Sequence, residues 1–356
     1  MDAPSATTSD RVTAGRVDAP EIAPAHEATM KAIVQDRYGP PDAVELRKID
    51  QPMVKDNEVL VRVHATTVNR TDCGFRAGRP FFVRVFTGLI RPKVVLGNEF
   101  AGDVEAVGSG VTSLQVGDRV FGYSGLQHGS RFGAHAEYLA IAEDGSLATM
   151  PANLTYEEAA PSTEGSHYAL SLIRKAKVRR GQDVLVHGAT GAIGSAAVQL
   201  LKSLGAEVTA VCDTKNVELV KGLGADRVID YTAEDFTRDT QTYDVVLDAV
   251  GKSSFGRCKR LLKPRGIYLS SDLGLLAQNP ILALITPLFG GKRVMFPIPR
   301  DDQEMARYFK GLLESGEFRP VIDRRYRLDQ IVEAYTYVET GQKTGNVVIS
   351  VDPSTS

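Results

Sequence analysis

The chain has 356 residues, of which 43% are hydrophobic and 24% are charged, a composition typical of a globular protein with enough length for roughly two domains. Its formal net charge is -2, and its 42 lysines and arginines are spread along the chain without forming a basic stripe. Such a charge distribution does not attract a phosphate backbone, so the composition argues against nucleic acid as a partner.

Cysteine usage and hydropathy indicate the expected compartment and whether the chain contains a membrane segment. Cys73, Cys212 and Cys258 lie far apart and form no C-x-x-C pair, which predicts neither a disulfide framework nor a thiolate metal cage. We therefore expect a reducing, cytoplasmic compartment. The longest apolar stretch, residues 275–289, is broken by polar residues and prolines and is shorter than the roughly 20 residues that span a bilayer. No integral membrane segment is predicted.

The first half of the chain has the texture of an irregular β domain. Residues 1–29 are rich in Ala, Pro, Thr and Asp and are predicted to form a disordered tail. Residues 30–156 contain short apolar runs separated by glycines, for example at 59–63 and 102–108. This pattern predicts a mostly antiparallel β domain.

From residue 157 to residue 299, short apolar strands alternate with helical patterns. Strands are predicted at 183–187, 207–211, 227–229, 244–247, 266–269 and 293–296. Alternation of this kind predicts a parallel, doubly wound sheet. Residues 300–352 contain a predicted helix at 303–313 and a strand at 346–351, and we assign them to the first domain.

A glycine-rich segment follows the first strand of the predicted parallel sheet. Residues 188–194 read Gly-Ala-Thr-Gly-Ala-Ile-Gly, a variant of G-x-G-x-x-G with Ala189 at the first glycine position. Gly191 lets the backbone approach a pyrophosphate, and Gly194 lets the helix pack closely on the strand. Because the motif lies between a strand and an amphipathic helix, we predict a dinucleotide site rather than a turn that only packs well. Its residues are Ala189, Thr190, Gly191, Ala192, Ile193 and Gly194.

The choice between NAD and NADP depends on the end of the second strand, where the sequence continues Cys212, Asp213, Thr214, Lys215. Asp213 would hold a ribose 2′-hydroxyl and select NAD, whereas Lys215 with Thr214 would favour a 2′-phosphate and select NADP. The short turn before Glu207 brings Cys212, not Asp213, to the strand tip. We therefore predict NADPH, with NADH as the alternative and with a solvated surface role as the alternative for Lys215.

These motifs together resemble the medium-chain dehydrogenase/reductase superfamily, in particular its zinc-independent quinone oxidoreductase branch. The segments that carry the resemblance are 68–72, 97–102, 116–122, 189–194, 223–226 and 230–232. The resemblance spans nearly all of residues 30–351. It implies an α/β protein in which a Rossmann doubly wound parallel sheet is joined to a GroES-like irregular β-barrel catalytic domain.

The same resemblance predicts that no metal is bound. Alcohol dehydrogenases of this superfamily hold a catalytic zinc with a cysteine and a histidine at positions that correspond here to Asn69 and Asn98. Neutral amides are poor zinc ligands compared with thiolate and imidazole. A cysteine-rich structural zinc lobe is absent as well. For His64, Glu99 and Glu164, the other possible ligands, a hydrogen-bonded structural role is the simpler interpretation.

Zinc-free chemistry of this branch implies hydride transfer from reduced nicotinamide to a quinone or to the β-carbon of an enone or enal. The resemblance places Asn69 and Asp72 in the cleft beside the nicotinamide, where Asn69 would donate a hydrogen bond to the developing oxyanion. Tyr123 is the candidate substrate-side hydroxyl, with a packed core tyrosine as the alternative. A small lipophilic carbonyl or quinone is the expected substrate. A zinc-type alcohol dehydrogenase and a non-catalytic NADPH-binding sensor are the competing interpretations.

Strand ends and the resemblance also predict further cofactor-binding residues and a subunit contact. Val250 and Gly251 would border the nicotinamide ribose, and Ser270 ends the fifth strand of the parallel sheet. The resemblance also places Tyr231 near the adenine ribose, puts Asn346 near the cleft, and implies a homodimer that pairs through the last Rossmann strand. The apolar segment 273–289 is expected to be a buried helix and loop, with cleft lining, subunit contact and membrane contact as alternatives.

Overall fold

The computed structural model describes residues 28–125 and 132–351, so most of the predicted tail lies outside the described residues. The strands are β1 (Thr29–Gln35), β2 (Val44–Asp50), β3 (Glu58–Val68), β4 (Glu99–Val107), β5 (Arg119–Tyr123), β6 (Tyr138–Ala142), β7 (Leu147–Thr149), β8 (Asp183–His187), β9 (Glu207–Cys212), β10 (Arg227–Asp230), β11 (Tyr243–Asp248), β12 (Leu262–Ser270), β13 (Arg293–Met295), β14 (Ile322–Arg327) and β15 (Asn346–Ser350). The α-helices are α1 (Arg70–Ala77), α2 (Arg84–Thr87), α3 (Tyr156–Ala159), α4 (Glu164–Ala176), α5 (Ala192–Ser203), α6 (Val217–Gly222), α7 (Phe255–Cys258), α8 (Gln278–Ile285), α9 (Gln303–Ser315) and α10 (Ile331–Glu339).

A mixed sheet is built around the long strand β3. Strand β3 pairs antiparallel with β4, β6 and β15, and the full order is β14-β15-β3-β4-β5-β7 with β6 added on β3. Strands β1 and β2 form a separate hairpin-like pair. The predicted irregular β domain is therefore confirmed, although the pairing within the described residues leaves the sheet open rather than closed into a barrel.

The second sheet is the predicted doubly wound parallel sheet. Its six strands are all parallel and lie in the order β10-β9-β8-β11-β12-β13. The reversal of strand order between β8 and β11 creates the crevice in which such sheets bind dinucleotides. The fold class read from the sequence is confirmed.

Continuous apolar runs explain why these strands are central. Val184, Leu185 and Val186 of β8 are fully buried because helices cover both faces of a parallel sheet. Helix α5 buries its apolar stripe on this strand and ends at Ser203. Gly205 follows two residues later, and its φ of +75° suits a residue without a side chain.

The carboxyl-terminal segment joins the two sheets. Strand β15 pairs antiparallel with β3, with Val347 opposite Val68. Helix α9 instead contributes to a large core that includes side chains of both sheets, among them Phe121 and Val348 of the first and Val186 of the second. The two sheets therefore share packed apolar surface, while the predicted domain limits stay a prediction.

The expectation that residues 273–289 are buried is wrong. Leu276, Leu284 and Leu288 are each about 80% exposed or more (88%, 79% and 81%), and Asn279 is the buried residue of helix α8. A helix of two turns can bury one face, and here Leu282 and Ala283 pack against the core. The remaining apolar side chains of residues 273–289 do not fit on that face and therefore stay exposed. Among the described residues, no helix is both long and apolar enough to cross a bilayer.

The shared core yields a stability prediction. Phe309 of α9 is fully buried and its ring centroid lies 5.7 Å from that of Phe318. Replacing Phe309 with alanine removes this packing and leaves a cavity, so we expect Phe309→Ala to lower the free energy of unfolding by about 3–5 kcal/mol in urea titrations. Arg307→Ala on the exposed side of the same helix is the control and should change it by less than about 0.5 kcal/mol. Equal stability of the two variants would contradict the packing described here.

Candidate active site

The two glycines of the fingerprint have different surroundings. A Cβ atom on Gly194 would lie 2.0 Å from the Gly188 carbonyl oxygen, so this glycine is required for packing of the helix on the strand. A Cβ atom on Gly191 would have its nearest neighbour at 3.9 Å, and Gly191 caps α5 with an ordinary extended backbone (φ -71°, ψ 172°). Gly191 therefore leaves open space in front of the helix N-terminus, as a bound pyrophosphate requires.

A cavity of about 580 Å³ lies in front of this loop. Of the residues predicted for the dinucleotide, Thr190, Gly191, Tyr231 and Val250 line it. The other predicted positions are not among the residues that line it. The lining also contains residues that the sequence analysis did not single out, namely His187, Phe236, Lys252, Arg257 and Lys343. The lining thus includes three basic residues, and it also includes the acids Glu234 and Asp235. The basic side chains can pair with the phosphate groups of a ligand.

Asp248 at the end of β11 shapes the loop that borders the cavity. Its Oδ1 accepts hydrogen bonds from the backbone N–H groups of Val250 (3.3 Å) and Gly251 (3.0 Å) and lies 2.9 Å from Nδ1 of His187. Burial raises the pKa of Asp248, but the hydrogen bonds outweigh burial and leave the pKa below its ordinary value. Sequence analysis named Val250 and Gly251 and missed Asp248, although an aspartate at the carboxyl end of a parallel strand was the available signal.

The residues predicted to choose the cofactor lie on the turn after β9. The side chain of Lys215 is 63% exposed, and its Nζ is 3.8 Å from a carboxylate oxygen of Asp213. The Thr214 hydroxyl donates to Asp230 at 2.6 Å. Asp213 and Lys215 thus stand side by side directly after Cys212, the last residue of the strand. Ser270, also predicted, is opposite Asp248 in the sheet and accepts a hydrogen bond from the backbone of Asp272.

A buried carboxylate, Glu99, connects the first sheet to helix α4. Both of its oxygens accept hydrogen bonds, and every partner is a donor. The donors are the Thr67 hydroxyl (2.7 Å), the Asn69 amide (3.0 Å), the Thr163 hydroxyl (3.0 Å) and the backbone N–H groups of Thr163 (2.8 Å) and Glu164 (2.6 Å). Burial raises the pKa of Glu99, whereas five donors favour its charged form.

Asn69 and Asp72, predicted as cleft residues, lie together at the start of α1. The Asp72 Oδ2 accepts a hydrogen bond from the Asn69 backbone N–H at 2.8 Å, in a capping box. The Asn69 amide nitrogen faces Glu99 and Thr67, so its hydrogens are engaged within the protein. The expectation that Asn69 is the oxyanion donor does not agree with this arrangement, because the amide atom left without a partner is the acceptor Oδ1.

Two more acids complete the cluster around Glu99. Burial, and then the charge of Glu164, raise the pKa of Asp72 well above its usual range. Burial, and then the charge of Glu99, raise the pKa of Glu164 to about 7. One carboxyl oxygen of each, Oδ1 of Asp72 and Oε2 of Glu164, is buried without a hydrogen-bond partner. Three carboxyl groups in low dielectric disfavour full ionisation, so this cluster retains protons near neutral pH.

The acid cluster adjoins the dinucleotide loop. A Cβ atom on Gly165, directly after Glu164, would lie 2.7 Å from the carbonyl group of Ala192. The backbone N–H of Gly345 donates to the Thr190 carbonyl oxygen at 2.6 Å. Lys343 lines the cavity, and the charges of Glu164 and Glu99 act against the lowering of its pKa by burial. Helix α4 and the carboxyl-terminal segment therefore bring the acids and a lysine to the fingerprint.

Tyr123 and Asn346 have more enclosed surroundings than predicted. Tyr123 is buried, its ring centroid lies 4.8 Å from that of His167, and burial raises its pKa well above the ordinary value. Asn346 at the start of β15 donates its amide hydrogen to the Val321 carbonyl oxygen at 3.1 Å, and its Oδ1 is buried without a partner.

The donor set at the positions of the superfamily's zinc ligands does not fit zinc. Asn69 uses its amide nitrogen for Glu99, and both oxygens of Glu99 are occupied by hydrogen bonds. Asn98 offers a neutral amide, and the Nε2 atom of His64 lies 2.9 Å from an oxygen of Asp103. In the part of the chain that the structure describes, no three His, Cys, Asp or Glu side chains form a group suited to a metal ion.

A Rossmann sheet with a glycine fingerprint beside a mixed β sheet is the architecture of a class of dinucleotide-dependent oxidoreductases. Comparisons with known proteins agree. The family model for the alcohol dehydrogenase GroES-like domain matches residues 55–152, and that for zinc-binding dehydrogenase matches residues 223–349.

Several characterised relatives are similar over most of their length. The chain is 33% identical to 2-methylene-furan-3-one reductase of Solanum lycopersicum, covering 91% of this chain and 80% of that protein. It is 30% identical to the chloroplastic NADPH-dependent alkenal/one oxidoreductase of Arabidopsis thaliana, covering 90% and 79%. The solved quinone oxidoreductase of Coxiella burnetii is 28% identical with a TM-score of 0.82, covering 91% and 100%. The chain therefore belongs to the medium-chain dehydrogenase/reductase superfamily, in its quinone oxidoreductase-like branch, and it is a nicotinamide-dinucleotide-dependent oxidoreductase.

The open space at Gly191 predicts a selective effect on cofactor binding. A methyl group there fits the protein but occupies the approach to the helix N-terminus, so Gly191→Ala should unfold at the wild-type midpoint. Its Kd for NADPH, measured by fluorescence titration, should rise by at least about tenfold, or about 1.4 kcal/mol. Gly222→Ala is the control, because a Cβ atom on Gly222 meets nothing within 4 Å and lies in α6. Wild-type NADPH affinity in Gly191→Ala would place the pyrophosphate elsewhere.

Proposed function

We propose that this protein is a zinc-independent, NADPH-dependent reductase that transfers hydride to a quinone or to the β-carbon of an enone or enal. The observation that carries the proposal is the donor set beside the fingerprint, where Asn69 and Asn98 stand at the positions of zinc ligands and Asn69 is held by Glu99. The printed names of the Solanum and Arabidopsis relatives, a furanone reductase and an alkenal/one oxidoreductase, support the same substrate class.

The proposed reaction needs a source of hydride and a hydrogen-bond donor for the carbonyl oxygen. When bound, the reduced nicotinamide supplies the hydride. As hydride reaches the acceptor, negative charge develops on the carbonyl oxygen and needs a placed donor. Both amide atoms of Asn98 are buried without a partner, so its Nδ2 is a better candidate donor than Asn69. Asn69 and Asp72 then serve to hold the start of α1 and the carboxyl groups in place.

NADPH is the proposed cofactor because basic side chains lie on the turn after β9 and in the cavity. Lys215 is exposed on the turn after β9, and Lys252 and Arg257 line the cavity. Asp213 opposes this preference, since a carboxylate repels a 2′-phosphate and accepts a hydrogen bond from a 2′-hydroxyl. NADH is therefore the second candidate.

The remaining features of the proposal concern architecture. Strand β13 lies at the edge of the parallel sheet, with one side open for pairing with a second copy. We retain a homodimer through this edge. We also retain domain limits of 30–156 and 300–352 for the catalytic domain and 157–299 for the Rossmann domain.

The reaction is tested by the oxidation of NADPH with a small quinone and with a small conjugated enone. Turnover should persist at the wild-type rate after prolonged dialysis against a strong chelator, because the donor set does not fit zinc. The measurement is the nicotinamide absorbance, with buffer dialysis as the control. Loss of activity on chelation and its return with zinc would favour the alcohol dehydrogenase interpretation, and NADPH binding without turnover on any acceptor would favour the sensor.

The cofactor proposal makes a paired prediction for Asp213 and Lys215. Two charges about 4 Å apart and exposed to water interact by about 1 kcal/mol, so Asp213→Ser should raise kcat/KM for NADPH about fivefold. Lys215→Ala should lower it by a similar factor with little change for NADH. Lys221→Ala on α6, paired with Glu218 at 2.9 Å, is the matched control. If Asp213→Ser instead mainly weakens the use of NADH and Lys215→Ala changes nothing, the cofactor is NADH.

A further inference from the structure

We propose that Glu164 is the proton donor of the reduction, an assignment that rests on the proposed function. The first residue of α4 would deliver the proton that completes the reaction after hydride transfer. The argument depends on its position next to the fingerprint, on the one carboxyl oxygen that has no partner, and on the tasks that occupy the neighbouring groups.

The position of Glu164 is fixed by both domains. Its backbone N–H donates to Glu99 at 2.6 Å, which anchors it to the first sheet. The next residue, Gly165, packs so closely on Ala192 of the fingerprint that a Cβ atom there would lie 2.7 Å from the Ala192 carbonyl group. Glu164 is therefore held between the fingerprint loop and the cleft residues of the first sheet.

The carboxyl group of Glu164 is prepared for an external partner. Its Oε2 is buried and has no hydrogen-bond partner, a costly arrangement unless a ligand or a proton satisfies it. Burial and the charge of Glu99 raise its pKa to about 7, so roughly half of the molecules hold the acid form near neutral pH. An acid with such a pKa can both give and regain a proton.

The other titratable groups around Glu164 have different tasks. Five donors favour the charged form of Glu99. Asp72 also has an oxygen without a partner, Oδ1, but its Oδ2 caps α1 and its pKa lies well above its usual range. Burial raises the pKa of Tyr168 to about 12, and burial raises that of Tyr123 well above its ordinary value.

Two basic groups also adjoin this part of the site. His167 Nδ1 is 3.0 Å from the Thr163 carbonyl oxygen, and burial lowers the pKa of His167 to about 4, so the ring is neutral. Burial lowers the pKa of Lys343, and the negative charges of Glu164 and Glu99 act against that lowering. Of this set, Glu164 combines an available oxygen with a suitable acidity.

The proposed step balances as follows for an enone. The C4–H bond of the reduced nicotinamide breaks and its electron pair forms a C–H bond at the β-carbon, which leaves an enolate and the oxidised cofactor. The Glu164 O–H bond then breaks and its proton forms a C–H bond at the α-carbon, which leaves a carboxylate. Lys343 stabilises that carboxylate by its charge until water returns a proton. A quinone that accepts the hydride becomes a hydroquinone monoanion, which takes its single proton from Glu164 and leaves the same carboxylate.

The test compares wild type with Glu164→Gln, Glu164→Asp and Glu218→Gln, an exposed glutamate in the first turn of α6. Removal of a general acid lowers rates by about 10²- to 10⁴-fold, so we expect such a fall in kcat for Glu164→Gln with little change in KM. Glu164→Asp should recover part of the rate, and Glu218→Gln should match wild type. NADPH affinity and unfolding midpoints report whether each variant folds.

A pH profile and product stereochemistry separate proton donation from a structural role. The wild-type kcat should fall as the pH rises through about 7, since the acid form is lost, and this fall should be absent in Glu164→Gln. With an α-substituted enone in D₂O, wild type should place deuterium on one face of the α-carbon and Glu164→Gln on both. If Glu164→Gln fails to fold, Glu164→Asp takes its place, because its shorter side chain moves the acid away from the substrate; wild-type kcat and wild-type facial selectivity in a folded Glu164→Asp variant would overturn the assignment.

The two levels of the proposal fail in different ways. If the wild-type protein reduces no quinone or enone, both the proposed function and the assignment of Glu164 are wrong. A wild type that turns over, together with a folded Glu164→Gln variant of unchanged rate, pH profile and facial selectivity, would end the assignment alone.

Discussion

The five hydrogen bonds to Glu99 are the interaction on which the site depends. They draw together the end of β3 at Thr67, the cap of α1 at Asn69 and the start of α4 at Thr163 and Glu164. A carboxylate taken out of water costs several kcal/mol unless donors replace its hydration, and here backbone and side-chain groups do so. Because these partners come from separate segments, the geometry of the cleft is set by one buried charge.

That charge also organises the acid cluster. A carboxylate held by five donors repels a second negative charge in its neighbourhood, which shifts Glu164 and Asp72 towards their neutral forms. Lys343, from the carboxyl-terminal segment, offsets part of the negative charge on the side of the cavity. The same arrangement therefore fixes positions and adjusts acidity, and neither effect needs a residue outside the chain.

Sequence patterns predicted the parallel sheet because its strands are buried on both faces and so read as continuous apolar runs, as at Val184, Leu185 and Val186. The fingerprint was recognisable because its residues are close in sequence: Gly194 lets the helix pack on the strand, and Gly191 leaves space in front of the helix N-terminus. The surroundings of Glu99 had no such signal. Its partners Thr67 and Thr163 lie 32 and 64 residues away in the sequence, and no local period relates them. The segment 273–289 was misjudged because hydropathy does not say whether an apolar face has a partner.

The position of Glu164 next to the fingerprint also helps to distinguish between reduction and alcohol oxidation. Reduction of an activated double bond consumes one hydride and one proton, so a site for this reaction needs an acid where alcohol oxidation needs a group that removes a proton. The amides Asn69 and Asn98 neither bind a cation well nor accept a proton, whereas Glu164 is poised between its two forms by Glu99. The buried carboxyl groups thus favour proton delivery. In this arrangement Glu99, which connects the first sheet to helix α4, also raises the pKa of Glu164 towards the value that the proposed reduction requires.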